Sequence, residues 1–118
     1  MSTRVFRQVI TLAANQVIQN VLQGTDFDYP PGPSTVTVAA AATAGDNVDL
    51  NVNFGSRRVA ENNRIATERV AGGGPEIPEN VVVSDNVAPT ERIQVGVTEQ
   101  GGAAATPVLY VEVNSPFN

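Results

Sequence analysis

A chain of 118 residues without His, Cys, Lys or Trp lacks most of the side chains that perform polar chemistry near neutral pH. Its length favours one domain with one core, and without Cys no disulfide or thiolate metal site supports that core. The net charge of −5, from 12 acidic residues against 7 Arg, argues against a nucleic-acid partner, which needs clustered cations. No apolar stretch approaches the about 20 residues that span a bilayer, and no signal peptide is predicted. We therefore expect synthesis in the cytoplasm and no membrane partner.

The N-terminal part of the chain predicts one strand and one ambiguous segment. Residues Arg4 to Leu12 carry apolar side chains on both parities, so this strand would be covered on both faces, for example by a neighbouring subunit. The apolar pairs Val17-Ile18 and Val21-Leu22 then recur four residues apart, a helical spacing with Gly24 as the C-terminal cap. Stiff β-branched side chains and β surroundings favour an irregular strand instead. Both alternatives remain open.

Two loops rich in Pro and Gly interrupt the strands. The turn at 29–33 is Tyr-Pro-Pro-Gly-Pro, which predicts a rigid, extended connection. Residues 71–78 contain three consecutive Gly and two Pro, which indicates a flexible hinge that leads into a stiffened arm. The single domain at 1–118 is therefore expected to carry extended arms at 24–33 and 71–79.

The clearest strand lies in the middle of the chain, at 47–54. Its apolar residues, from Val48 to Phe54, alternate strictly with Asp and Asn, as in a half-buried antiparallel strand. A bulge at Gly55 would then return Val59 to the interior.

Weaker strands are predicted at 34–42, 64–70 and 80–84, and two clearer ones at 91–98 and 108–114. The last two flank a Gly-Gly turn signal, so they are expected to pair as a hairpin with a long loop. Seven to nine short strands with a turn about every 10 residues predict an all-β fold, an antiparallel β-sandwich. The strand spacing and the long crossing loops favour a jelly roll over a meander.

The sequence contains no recognisable catalytic or cofactor site. Nucleophile triads need a base that is normally His, zinc sites need His or Cys, and no phosphate-binding Gly motif follows a strand. Asp26 and Asp28 lie on one side of an extended backbone and would suit glycoside hydrolysis or Ca²⁺ binding. Asp between Gly24 and Pro30 is more typical of a turn. We therefore expect no enzyme activity, no cofactor and no metal.

Seven Arg without Lys indicate either the codon bias of a GC-rich genome or a surface made for contact, because Arg is enriched and Lys depleted at protein interfaces. On the second alternative, interface residues are expected among the Arg and aromatic side chains. The Arg at 57, 58, 64 and 69 would pair with acids on a partner subunit, or else lie on a solvated strand face balanced by Glu61 and Glu68. The candidate interface with partner subunits comprises Phe6, Phe27, Tyr29, Arg57, Arg58, Arg64, Arg69 and Ile77.

Three parts of the chain carry a resemblance to a known class. They are Asn20-Val21-Leu22-Gln23-Gly24 with Phe27-Asp28-Tyr29 and the Pro-rich turn, the alternating strand that ends at Phe54-Gly55-Ser56-Arg57, and the strand, Gly-Gly loop, strand unit from Ile93 to Val113. In these features the chain resembles small jelly-roll virion proteins of tailed bacteriophages, the capsid decoration or cement class.

The resemblance implies a structural role without a catalytic site. It implies a place on the capsid surface of a virion, with the major capsid protein and other copies of the chain, often as a homotrimer, as partners. Many modest contacts would then clamp the shell. The alternative is a carbohydrate-binding or adhesion module on a fibre or spike. Such a module would use a sugar-stacking patch at Phe27, Tyr29 and the turn from Pro30 to Pro33.

Overall fold

The computed structural model describes residues 2–25, 27–30, 32–43, 45–69, 73–77 and 79–115. Within these residues the chain forms nine β-strands and no helix. The strands are β1 (Ser2–Val9), β2 (Val17–Ile18), β3 (Ser34–Ala42), β4 (Val48–Phe54), β5 (Arg57–Arg64), β6 (Ala66–Thr67), β7 (Val81–Val87), β8 (Ile93–Glu99) and β9 (Val108–Ser115). The predicted all-β class is confirmed.

The strands form two sheets that face each other as a sandwich. Sheet 1 has the order β1-β9-β3, and the far side of β3 pairs with β7 along most of its length and with β6 at its end. Sheet 2 has the order β2-β8-β4-β5. All pairs are antiparallel except the two-residue pairing of β3 with β6. Most consecutive strands lie in opposite sheets, an arrangement consistent with the predicted jelly roll.

The core lies between the two sheets and consists of small aliphatic side chains with one large ring. Sheet 2 contributes the alternate residues of β4, from Val48 to Phe54, all of which are fully buried. Sheet 1 faces them with the alternate residues of β3 from Val36 onwards and with Leu109, Val111 and Val113 of β9. Each fully buried Val, Leu or Phe side chain contributes about 1.5–3 kcal/mol, so the strict alternation of the sequence determines which face turns inward.

The predicted hairpin of the last two strands is wrong. The two strands form at 93–99 and 108–115, but β8 pairs with β2 and β4 in sheet 2, whereas β9 lies between β1 and β3 in sheet 1. The connection at 100–107 exceeds the usual hairpin loop length and crosses the sandwich. Within it Ala105 forms an isolated bridge with Leu12. A Gly-Gly turn signal reports that the chain reverses, and it carries no information about which sheet the next strand joins.

The predicted bulge at Gly55 is also wrong. Phe54 pairs directly with Arg57, so Gly55 and Ser56 form a two-residue hairpin loop, and the positive φ of 63° at Gly55 suits such a turn. Val59 nevertheless packs against the core, as expected. The register of β4 with β5 shifts further along, between Leu50 and Asn53.

The ambiguous segment before Gly24 is an irregular strand. Only Val17–Ile18 pair regularly, with β8. Residues 21–24 form a hydrogen-bonded turn, and the described residues of the segment contain no helix. Gly24 has a φ of 79° and ends a turn rather than a helix. The marginal strand at 64–70 is reduced to Ala66–Thr67, and the strand predicted from Arg4 to Leu12 lies at 2–9.

Candidate functional sites: an open strand edge and a polar groove

Arg57 clamps the two sheets together at one side of the sandwich. Its guanidinium donates to both carboxylate oxygens of Glu91, at 3.0 and 3.1 Å, and to the carbonyl of Asn86 at 3.0 Å. Asp85 of β7 lies 3.5 Å away, and the guanidinium stacks 5.9 Å from the ring centroid of Phe54. The hydrogen bond from Arg57, followed by one from the backbone of Ala88, lowers the pKa of Glu91. The same pairing raises the pKa of Arg57.

Two of the other candidate arginines also have partners within the chain. Arg64 donates to Asp49 at 2.6 Å and to Asn47 at 2.9 Å, on the outer face of sheet 2. Arg69 lies in the loop after β6, where its 79% exposed side chain is 3.6 Å from Glu76. The contacts of Arg57, Arg64 and Arg69 described here therefore lie within the protomer itself.

The three candidate aromatic residues divide between an internal contact and an exposed ring. Phe6 and Phe27 pack edge to face with ring centroids 5.6 Å apart, and the Arg4 guanidinium lies 5.3 Å from the centroid of Phe27. Both Phe side chains are partly buried against the core, whereas Tyr29 is 52% exposed. Phe27 therefore holds the turn after residue 24 onto the inner side of β1.

The turn at 20–28 is organised by two polar side chains. The buried Asn20 accepts hydrogen bonds from the backbone of Leu22 at 3.1 Å and of Val95 at 3.2 Å. Asp28 accepts from the Asn20 amide, from the backbone of Gly24 and from the Arg92 guanidinium. Asp28 thus fixes the turn, as the turn interpretation of the sequence proposed. Asp26 lies outside the described residues.

The segment at 73–77 lies against the outer face of sheet 1. The Arg7 guanidinium donates to the carbonyl of Gly73 at 2.6 Å, and Glu68 accepts from the backbone of Gly74 at 2.6 Å. A Cβ at Gly74 would lie 3.0 Å from Val108, so the backbone closely approaches the sheet. Ile77 remains 49% exposed. The described part of the predicted arm at 71–79 is therefore tied to its own domain.

β1 is a long, regular and open edge of sheet 1. Its register with β9 runs without a shift from Ser2 to Val9, and no further strand of the described chain pairs with its other side. Val5 and Val9 point to the outer face and are 48% and 56% exposed. Long regular edges with exposed apolar residues are templates for pairing with another chain. This strand therefore forms the first candidate site.

The second candidate site is a polar groove on the outer face of sheet 2, with a volume of about 230 Å³. Four elements supply its walls. Its lining comprises Val17, Ile18, Gln19, Asn51, Asn53, Arg58, Asn62, Gln94, Gly96 and Thr98. Apart from Arg58, the sequence interpretation proposed none of these residues as a site. The available signals were the row of outward Asn residues in β4 and a Gly inside β8, which often marks a close approach.

The arrangement of the groove rests on Asn51. Its side-chain oxygen accepts from the Arg58 guanidinium at 3.2 Å and from the backbone of Asn62 at 2.9 Å. Asn62 has a φ of 48°, a conformation that Asn tolerates better than most residues. Arg58 is also 3.9 Å from Glu61. Asn51 thereby holds the irregular part of β5 against β4 and shapes one rim.

A buried carboxylate organises the end of the sandwich near the groove. Glu99 is 2% exposed and accepts hydrogen bonds from the backbone of Asn15, Gly101 and Gly102 at 2.6–2.9 Å. These bonds, above all the one from Asn15, lower its pKa. The carboxylate is fully engaged in fixing two loops, which explains its burial.

No cluster of three or more His, Cys, Asp or Glu that could hold a metal ion is found among the described residues. In the same part of the chain, no helix is long and apolar enough to cross a lipid bilayer. Comparison of the chain with protein-family models, with curated proteins and with solved structures finds no match. The function proposed below therefore rests on the residues and the fold.

Proposed function

We propose that this chain is a non-enzymatic structural protein of a virion that binds the outside of a tailed-phage capsid as a decoration protein. The β-sandwich, with a strand order consistent with a jelly roll, agrees with that class. The observation that carries the proposal is the open edge of β1, because a decoration protein must join neighbouring subunits through its surface. The resemblance described above supplies the choice of the capsid as the larger partner.

The free edge of β1 is suited to pairing with a strand of a neighbouring subunit. Eight residues in extended conformation present an edge about 26 Å long, at about 3.3 Å per residue. A strand of a neighbouring subunit that adds to this edge would satisfy the free backbone groups. Val5 and Val9 would add apolar contact beside it. Each contact is modest, and the repetition of subunits over a shell multiplies its effect.

The intramolecular ion pairs of the candidate arginines also favour β1 over the arginines as the interface. Arg57 and Arg64 already bind carboxylates of their own protomer at 3.0 Å or less. Contact of these Arg side chains with a partner would first require breaking their pairs within the protomer. The interface is therefore assigned to β1, with Phe6 and Phe27 supporting it from the inner side.

Self-association can be tested by placing Lys on the edge strand. The double variant Val5→Lys with Val9→Lys should stay folded and become monomeric in sedimentation velocity, since edge Lys blocks strand pairing. Val17→Lys is the matched control, because Val17 is also a Val, is 52% exposed and lies on the other sheet. This control should associate like the unmodified protein. An unmodified protein that remains monomeric at millimolar concentration would contradict self-association.

Capsid binding needs a separate test. Shells assembled from the major capsid protein of the same genome should bind the protein in a co-sedimentation assay and then break at a higher temperature. Shells that neither bind the protein nor gain heat resistance would remove the decoration role, whatever the oligomeric state.

A further inference from the structure

We infer that the groove on the outer face of sheet 2 is a binding site for a neutral, hydroxyl-rich ligand, namely a glycan, and that it acts independently of the β1 edge. The groove and β1 belong to different sheets, so both can be occupied at once.

The floor of the groove is shaped by the backbone. Gly96 of β8 lies directly opposite Asn51 of β4, in a row where its neighbours carry polar side chains. A Cβ at Gly96 would lie 3.0 Å from the carbonyl oxygen of Gln19. Any other residue here would push the chain that leads from β2 away from the sheet. The depression therefore follows from close approach of two backbones and does not depend on mobile side chains.

Asn53 supplies an unusual feature of the lining. Its Oδ1 atom is shielded from solvent and has no hydrogen-bond partner in the described structure. Buried polar atoms without partners are rare in native proteins and call for an explanation. Rotation about the Cβ–Cγ bond exchanges the two amide atoms, so either one can face the groove. A ligand hydroxyl that meets the amide would satisfy it, because a hydroxyl both donates and accepts.

Further hydrogen-bonding capacity surrounds Asn53. Gln94 is its cross-strand neighbour, and Thr98 lies two positions beyond Gly96 on the same strand. Neither side chain has a hydrogen-bond partner among the described residues. Like the amide of Asn53, these groups can donate and accept, which matches a hydroxyl-rich ligand better than an anion. The one cation of the lining, Arg58, is already bound to Asn51 and lies near Glu61.

The remaining wall and the size of the groove agree with a sugar. The side chain of Val17, which is 52% exposed, offers an apolar side against which the C–H face of a sugar ring would pack, whereas the side chain of Ile18 packs against the core. The volume of about 230 Å³ falls below the about 300–1,000 Å³ of pockets for drug-sized ligands, so it suits one sugar residue of a longer glycan.

The test uses isotope-labelled protein and amide chemical shifts. The probes are glucose, galactose, mannose, rhamnose and N-acetylglucosamine, each titrated into the millimolar range, and N-methylacetamide as a peptide-like probe without hydroxyls. At least one sugar should shift the amides of Gly96 and Thr98. Gln94→Ala should reduce the affinity for that sugar about tenfold, as for loss of one hydrogen bond. Gln23→Ala, at an exposed turn outside the groove, should leave the affinity unchanged.

Asn53→Leu separates a binding role from a structural one. A leucine of similar size would remove the unpaired amide and improve the strand propensity, so the thermal midpoint should rise while sugar binding is lost. A lower midpoint with sugar binding retained would overturn the assignment. Shifts at the groove with N-methylacetamide and with no sugar would overturn the glycan class in favour of a peptide. Absence of shifts with every probe would overturn the site.

Discussion

Strands β1 and β5 both end a sheet, but their free edges differ in every respect that controls pairing. β1 keeps one register over its whole length and exposes Val5 and Val9. β5 shifts its register twice against β4, carries Asn62 in a left-handed conformation, and holds charged side chains along its length. Bulges and charges are the devices that protect sheet edges from other chains. One edge is therefore closed to strand pairing and the other is open.

The side-chain contacts that hold the two edge strands onto the sandwich differ as well. Behind β5, Arg57 connects to Glu91 and Asp85 and lies over the fully buried Phe54. Behind β1, the partly buried pair of Phe6 and Phe27 closes the sandwich. The difference teaches that the ion pairs near β5 stabilise the protomer itself, whereas the edge of β1 exposes apolar side chains and has no pairing strand among the described residues.

The largest effect on stability is expected for removal of the Phe54 ring, at the end of β4 that pairs with β5. Phe54→Ala should reduce the free energy of unfolding by about 3–5 kcal/mol, because it leaves a cavity in the core. The matched variant Phe6→Ala removes a partly buried ring behind β1 and should cost less. Urea denaturation with a constant m-value measures both. If Phe6→Ala reduces the free energy of unfolding as much as Phe54→Ala, the two edge strands are equally well supported by the core, which contradicts the difference described above.

The next effect concerns the turn that holds Phe27 against β1. Asn20→Ala leaves the buried N–H groups of Leu22 and Val95 without their acceptor, at about 1–3 kcal/mol for each group. The free energy of unfolding should fall accordingly, and the Phe6–Phe27 contact should loosen in nuclear Overhauser spectra. Asn63→Ala, at an exposed site of β5, is the control and should change stability by less than about 0.5 kcal/mol.

The contribution of the Arg57–Glu91 ion pair to stability should depend on pH. The pKa of Glu91 is lowered in the folded protein, so its contribution to stability is present above the ordinary pKa of a Glu carboxyl, about 4.3, and is lost as the pH falls through the lower folded value. Glu91→Gln should therefore lower the thermal midpoint at pH 7. The gap to the unmodified protein should narrow as the pH falls below about 4.3 and close once the pH lies below the lowered pKa of Glu91 in the folded protein, where that carboxyl is protonated too. A gap that does not narrow as the pH falls through the titration of Glu91 would show that charge is not the cause.

The smallest effect is expected for the loop after β6. Arg69 is 79% exposed and 3.6 Å from Glu76, so Arg69→Gln should change the free energy of unfolding by about 0.5 kcal/mol or less. Arg57→Gln, measured by the same urea titration, should exceed it clearly. Equal effects would mean that the contacts of Arg57 are no stronger than an ordinary surface pair.

The strands with strict alternation were predictable because their pattern alone distinguishes an inner from an outer face. The strand at 34–42 matches its expected bounds, and the strand expected at 47–54 lies at 48–54. The segment before Gly24 was open between two alternatives, because its spacing suits a helix and its β-branched residues suit a strand. The structure decides it through the pairing of Val17–Ile18 with β8, a contact with residues about 80 positions away.

The candidate sites were less predictable. Phe6, Phe27 and Arg57 were expected at a subunit or capsid interface. The contacts that the structure gives them lie within the protomer, with residues far away in the chain, and no spacing rule reveals those partners. The groove was missed because its residues come from four elements and are individually ordinary polar residues of strand faces. The outward Asn residues of β4 and a Gly within β8 were its available signals.

The sequence by itself determined the all-β class, the sandwich, and the inward face of its clearest strands, because burial of alternate apolar residues is a local property of an extended chain. The tertiary structure alone decided which sheet each strand joins, where the chain crosses between sheets, and which edge stays open. Those features depend on contacts between residues far apart in the chain. The same non-local contacts bring Asn51, Asn53, Gly96 and Thr98 together, and so they create the groove as well as the fold.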